Sequence, residues 1–223
     1  MNVLNDSMLA SLLTALIVIG VALLVRVSAS VRKPGALQSA WEVTASSARD
    51  LADVATPYRD RVVAVAVSLF WFILAANWLP LLPGSPLPAP TANINMTIAL
   101  AVIVIVIVHA TAFQARGARG YFRYYLTPLW LAPVRLLEEL IKPVTLALRL
   151  FGVLFASGLI FALLGALLPP PAALIPHAAW TLFDLFMSVV QAFIFALLTI
   201  LYFNAAVPAK IAATAPSNGR RDR

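Results

Sequence analysis

Residues 138–168 read EELIKPVTLALRLFGVLFASGLIFALLGALL, and how this stretch is read decides the fold. From Val144 on it is apolar enough to lie in hydrocarbon, apart from one arginine, Arg149. A guanidinium at the centre of a bilayer is disfavoured by about 2.5 kcal/mol on the mildest scales and by well over 10 on the harshest. A helix keeps such a charge when the side chain reaches water, meets a counter-charge or does a job. Helical spacing puts Lys142, Thr145, Arg149, Gly152 and Ala156 on one face, with Leu146, Leu148, Leu150, Phe151 and Leu154 around the rest. Small residues therefore flank Arg149, and small residues let a second helix come close. Two readings stand. Arg149 is five residues past Val144, about 8 Å of helical rise, so it can snorkel to the interface. Alternatively, the face offers a guanidinium to a partner at short range.

Composition makes this a membrane protein. Of 223 residues, 62% are hydrophobic, against about 45–50% in a soluble domain. Charged residues make up 11%, less than half the usual share of about 25%. Mean hydropathy is +0.93. There is no cysteine, so disulfides and thiolate chemistry are excluded. His109 and His177 lie far apart and make no metal-ligand pattern. No cofactor is expected.

Apolar runs over residues 8–25, 62–79 and 96–113 read as the first three spans. The first has no basic flank or cleavage site before it and is expected to be retained. Between the first two, residues 37–54 have mixed helical spacing and are expected to lie on the membrane surface. Residues 80–95 form an uncharged, turn-rich loop. Residues 121–137, with Pro128 and Pro133, suggest a shallow or re-entrant piece of a hairpin. Residues 138–168 and 180–207 read as two long helices separated by a loop at 169–179, and 208–223 as a disordered tail.

Sixteen residues are Lys or Arg. Six lie in 26–61, five in 116–142 and four in the tail, and the last is Arg149. The N-terminus and the loops 80–95 and 169–179 have none. This positive-inside pattern predicts five crossings, an outside N-terminus and a cytoplasmic tail. The net charge of +7 is thus a topology signal, and nucleic acid is dropped as a partner. The expectation is an all-α polytopic protein in one membrane domain. Residues 1–25 form the outside N-terminus and first span, 26–61 a cytoplasmic loop with the surface helix, 62–113 the next two spans, 121–207 helical hairpins and 208–223 the tail.

A second polar stripe lies on the last helix. Asp184, Ser188 and Gln191 are spaced four and three apart among Phe, Leu, Val, Met and Ala, so they share a face. They suit either a hydrated path or hydrogen bonding between helices. Asp184 falls near the outer side, with Gln191 about 10 Å deeper. Glu138 and Glu139 fall at the cytoplasmic mouth, where they also suit the positive end of a helix dipole. Acidic groups on both sides of one arginine would make two half-paths separated by a positive barrier.

EELIKPVTLALRLFG, VVQAFIFALLTILYF and, at residues 90–100, PTANINMTIAL resemble in order and spacing the signatures of subunit a of the membrane sector of F-type ATP synthases. The resemblance spans residues 77–203. It implies an ion-translocating stator subunit, in the plasma membrane of a bacterium, that faces a ring of c subunits and assembles with the b subunits of the peripheral stalk and the other ATP synthase subunits. It implies two tilted helices against the ring, two offset half-channels and no nucleotide site. Arg149 matches the arginine that attracts each ring carboxylate, and Gln191 the glutamine beside it. Glu138, Glu139, Asp184 and Ser188 are the further expected ion-path residues, and Lys142, Thr145, Gly152 and Ala156 the expected ring-facing ones. The chain departs from the pattern at Val153, commonly Asn, at Gly158, commonly Glu or His, and at Asn93, commonly Asp. Asp184 stands seven before the glutamine, at the place of a second channel group, and is expected to carry the outer path. A stand-alone transporter using Arg149 to bind an anion is the alternative. It fits less well, because the helix bearing Arg149 has no break near the charge except Gly152.

Overall fold

The computed structural model describes residues 3–27, 35–54, 56–81, 90–126 and 132–207. The tail at 208–223 and the break at Pro34 lie outside the described residues, as do residues 82–89 of the 80–95 loop and residues 127–131. Six helices follow one another: α1 (Val3–Val27), α2 (Ala36–Leu51), α3 (Thr56–Trp78), α4 (Ile94–Leu126), α5 (Ala132–Leu167) and α6 (Pro170–Ala206). Short 3-10 turns at Leu79–Leu81 and Pro90–Ala92 flank the α3–α4 connection. All but α2 are long and apolar enough to cross a membrane. The chain is a polytopic all-α membrane protein with five candidate spans. Helices suit that solvent because they satisfy their backbone hydrogen bonds internally.

The centre of the bundle is α3 against α6. Val62, Ala66 and Ile73 of α3 and Ala192, Phe195, Ile200 and Phe203 of α6 belong to one buried cluster. Alanines at these positions let the backbones approach, and dispersion between close-packed atoms replaces the hydrophobic effect that lipid cannot supply. On the α3 side lie α1 and α2, while α4 packs on both α5 and α6. The surface helix expected at 37–54 is α2, which stacks Trp41 on Trp71 of α3 at 5.5 Å between ring centroids. At its end the Leu51 carbonyl accepts a hydrogen bond from Asn204 Nδ2 of α6 at 2.9 Å.

Both ends of the bundle are pinned by polar contacts. Thr91 donates to Asn77 Oδ1 at 2.7 Å, tying the Pro90–Ala92 turn to the end of α3. The Asn93 carbonyl then accepts from the N–H groups of Met96 and Thr97 to open α4. At the other end, Arg116 Nε donates to the Ala206 carbonyl at 2.8 Å. A cation there meets the unpaired carbonyls and negative dipole end of α6.

Three expectations change. Residues 169–179 are not a loop: α6 begins at Pro170, with a proline at its first position, where a missing N–H and a preset φ suit a helix start. The proline run that stops α5 therefore also starts α6, and Pro176 is accommodated near its beginning. Likewise α5 begins at Ala132 and carries Pro143 inside it. Finally, 121–137 is divided: its first part belongs to the arm of α4 beyond a kink at Gly117, its last part opens α5, and residues 127–131 lie outside the described residues.

α4 makes this possible by turning at Gly117, where φ is 69° and ψ is 164°. That combination is essentially open only to glycine, at about 1–3 kcal/mol for any other residue. A Cβ at Gly117 would meet nothing within 4 Å, so the demand is conformational and not steric. Gly117→Ala is therefore expected to destabilise the detergent-solubilised chain by about 1–3 kcal/mol. Gly20→Ala, in open space within α1, should lose nothing. Equal thermal midpoints for the two variants would show that the turn does not depend on this dihedral.

Candidate functional site

The two faces of α5 differ sharply. Leu146, Ala147, Leu150, Leu154 and Ser157 are buried against the bundle. Thr145, Leu148, Arg149, Gly152, Phe155 and Ala156 are exposed. Further along, Leu159 is 60% and Leu163 54% exposed, values that exclude a core position. Arg149 has no hydrogen bond or ion pair with another side chain among the described residues. Of the four expected ring-facing positions, Thr145, Gly152 and Ala156 lie with Arg149 on the open face. Lys142 does not stand out in the same way. Its Nζ lies 2.6 Å from Glu139 Oε1 and 5.6 Å from the centre of the Tyr202 ring of α6.

The stripe on α6 lies on the other side of the matter: Asp184, Ser188 and Gln191 are all buried within the chain. Ser188 donates back to the Asp184 backbone carbonyl at 2.8 Å. Gln191 Nε2 is buried without a partner among the described residues, an arrangement that disfavours the folded chain unless water or a further group pairs it. The Asp184 carboxylate lies beside the Ser157 hydroxyl of α5, which accepts a hydrogen bond from Trp180 Nε1 at 3.1 Å. One turn further out, His177 stacks on Phe161 at 5.3 Å. The end of the bundle without Lys or Arg thus holds Asp184, Ser157, Trp180 and His177 between α5 and α6.

At the opposite, basic end a second cluster joins α4 to α5. His109 Nε2 lies 3.3 Å from Glu139 Oε2. Tyr121 hydrogen-bonds His109 Nδ1 at 3.1 Å. Lys142 holds the other carboxylate oxygen of Glu139. Glu138, by contrast, is exposed.

The six expected ion-path residues are therefore distributed and not gathered. Arg149 and Glu138 face outward, Glu139 anchors the basic end, and Asp184, Ser188 and Gln191 lie inside α6. No hydrogen bond links Gln191 to Arg149 among the described residues. Sequence reasoning missed Ser157, although it is the one polar side chain between Arg149 and Pro169. It also missed the joining of His109, Tyr121 and Glu139, which nothing in a linear pattern announces.

Comparison with known proteins gives a consistent result. A family model described as ATP synthase A chain matches residues 8–204. ATP synthase subunit a of Acidothermus cellulolyticus is 43% identical over 204 residues, covering 89% of this chain and 75% of that protein. The subunit a of Mycobacterium tuberculosis is 39% identical over 224 residues, covering 93% and 88%. That of Coxiella burnetii is 33% identical over 223 residues, covering 90% and 84%. With its five apolar helices and its match across nearly all of these spans, the chain belongs to the ATP synthase A chain family, as a multi-pass bacterial membrane protein of ATP synthesis and ion transport.

Proposed function

We propose that this chain is the stator that carries ions past a rotating c-ring, with Arg149 as the residue that meets each ring carboxylate. The observation that carries the proposal is the placement of Arg149 on the open face of α5, flanked by Thr145, Gly152 and Ala156 and turned from the buried face. A guanidinium in hydrocarbon is tolerated beside an opposite charge at close range. Small neighbours permit that range. As each ring carboxylate arrives ionised, the guanidinium pairs with it, and a fixed positive charge on the path also bars a direct leak of cations between the two sides.

The two half-paths follow from the two clusters. The uncharged end, with Asp184, Ser157 and Ser188 leading inward to Gln191, forms the outer half-path. The basic end, with Glu139 and the exposed Glu138, forms the cytoplasmic one. Buried Gln191, with an unpaired Nε2, is suited to orient water or the approaching ion along the outer path. In this reading the N-terminus is outside and the tail cytoplasmic, in keeping with the positive-inside rule. Lys142, drawn toward Glu139, acts at the cytoplasmic mouth and not as a ring contact. The chain carries no catalysis of its own, and the b subunits of the stalk and the other synthase subunits are its remaining protein partners.

Arg149→Ala is expected to reduce ATP-driven pumping in inverted vesicles to background while the complex still assembles. Coupled pumping at the wild-type rate in that variant would remove the assignment. Asp184→Asn, which keeps the shape and most hydrogen bonds but loses the exchangeable acid, is expected to slow ion transfer from the outer side by roughly tenfold or more. Transfer at an unchanged rate would move that role to another group.

A further inference from the structure

Resting on the stator reading above, we propose that His109 is a proton-transfer residue of the cytoplasmic half-path, handing protons between the aqueous side and Glu139, so that the ion passed at this mouth is a proton.

The geometry assigns each atom. The Glu139 carboxylate is divided between two donors, Lys142 Nζ on Oε1 at 2.6 Å and His109 Nε2 on Oε2 at 3.3 Å. On the far side of the imidazole, Tyr121 Oη lies 3.1 Å from Nδ1. A neutral ring beside a carboxylate keeps its proton on Nε2, which leaves Nδ1 to accept from the tyrosine hydroxyl. That is a relay loaded for one direction. Nδ1 takes a proton through Tyr121, Nε2 gives its own to Oε2, and the ring is left neutral as the other tautomer. One proton enters and one leaves, with no electrons moved, and synthesis runs the steps in reverse. A sodium ion has no equivalent passage through an imidazole.

Placement supports a path and not merely a staple. His109 is 26% and Glu139 18% exposed, so water reaches the pair while the bundle still holds it. The chain Tyr121–His109–Glu139 runs from the arm of α4 beyond Gly117 to α5, ten residues before Arg149, or about 15 Å by helical rise. Among the described residues, the imidazole is faced by Glu139 and Lys142 of α5 and Tyr121 of α4, with Tyr202 of α6 behind Lys142. Lys142 acts as a positioning residue: it fixes one oxygen of Glu139 and leaves the other to the histidine.

The test uses the whole complex in inverted vesicles and reads ATP-driven acidification in sodium-free buffer while the external, cytoplasmic-face pH is varied from 5 to 8. His109→Gln keeps an amide donor and acceptor but cannot exchange a proton. It is expected to pump at least about tenfold more slowly and to lose the wild-type pH dependence of the rate across that range. Glu139→Gln should show the same loss, and the double variant no more than either, as for two steps of one path. Tyr121→Phe, which removes only a hydroxyl, should slow pumping with assembly intact, and it decides the matter if His109→Gln fails to assemble. Wild-type pumping in whichever of the two variants assembles overturns the proposal. So does slow pumping with an unchanged pH profile, which is the mark of a structural staple. Arg149→Ala in the same membranes separates the two readings. If it still pumps, the stator assignment falls. If it is silent while His109→Gln pumps normally, only the role of His109 falls.

Discussion

A charge within hydrocarbon has to be matched, and this molecule places Arg149 where its own fold does not match it. The buried face of α5, running through Leu146, Leu150 and Leu154, is spent on the bundle. The guanidinium is left on the open side with small residues around it. In water such an arrangement would be unremarkable. In a membrane the same arrangement is unfavourable by several kcal/mol until a counter-charge arrives. The open face therefore carries a charge that the fold leaves unmatched, in a chain that belongs to the ATP synthase A chain family.

The rest of the structure supports this face indirectly. α3 and α6 form a close-packed centre through alanines and large apolar side chains, which holds α5 at a fixed position with α4 behind it. The polar groups of α6 are turned inward, where Asp184, Ser188 and Gln191 occupy the same buried side as Phe195. The acid of α6 and the arginine of α5 are thus on different surfaces of the protein, which keeps them from neutralising each other. Had they paired within the chain, the guanidinium would be neutralised there and no unmatched positive charge would remain on the open face.

The basic and uncharged ends are built by different chemistry. At the end without Lys or Arg a serine accepts a hydrogen bond from a tryptophan and lies beside an aspartate. At the basic end a glutamate is ion-paired with a lysine and lies beside a histidine, with arginine capping the end of α6 nearby. The turn at Gly117 is what brings Tyr121 back towards His109, twelve residues earlier on the same helix. A straight helix would place those two side chains about 18 Å apart along its axis.

The sequence by itself determined the solvent, the number of spans, the expected orientation and the singular status of Arg149. These depend on composition, on stretches of about twenty apolar residues and on the count of Lys and Arg in each loop, all local or additive quantities. Helical spacing placed Thr145, Gly152 and Ala156 with Arg149, and all four are exposed, whereas Lys142 of the same stripe is half-buried and Leu148 is exposed as well. Boundaries were less legible. The proline run at 169–171 reads as a stop, and only the packed α6 shows that it is also a start. The Lys142–Glu139 pair, three residues apart on α5, is legible from helical spacing. Tertiary structure alone decided that Ser157 lies beside Asp184 and that His109 of α4 meets Glu139 of α5. The reason is physical: contacts between helices are set by how far α4, α5 and α6 slide and rotate against one another, and periodicity along one helix carries no information about its register with the next.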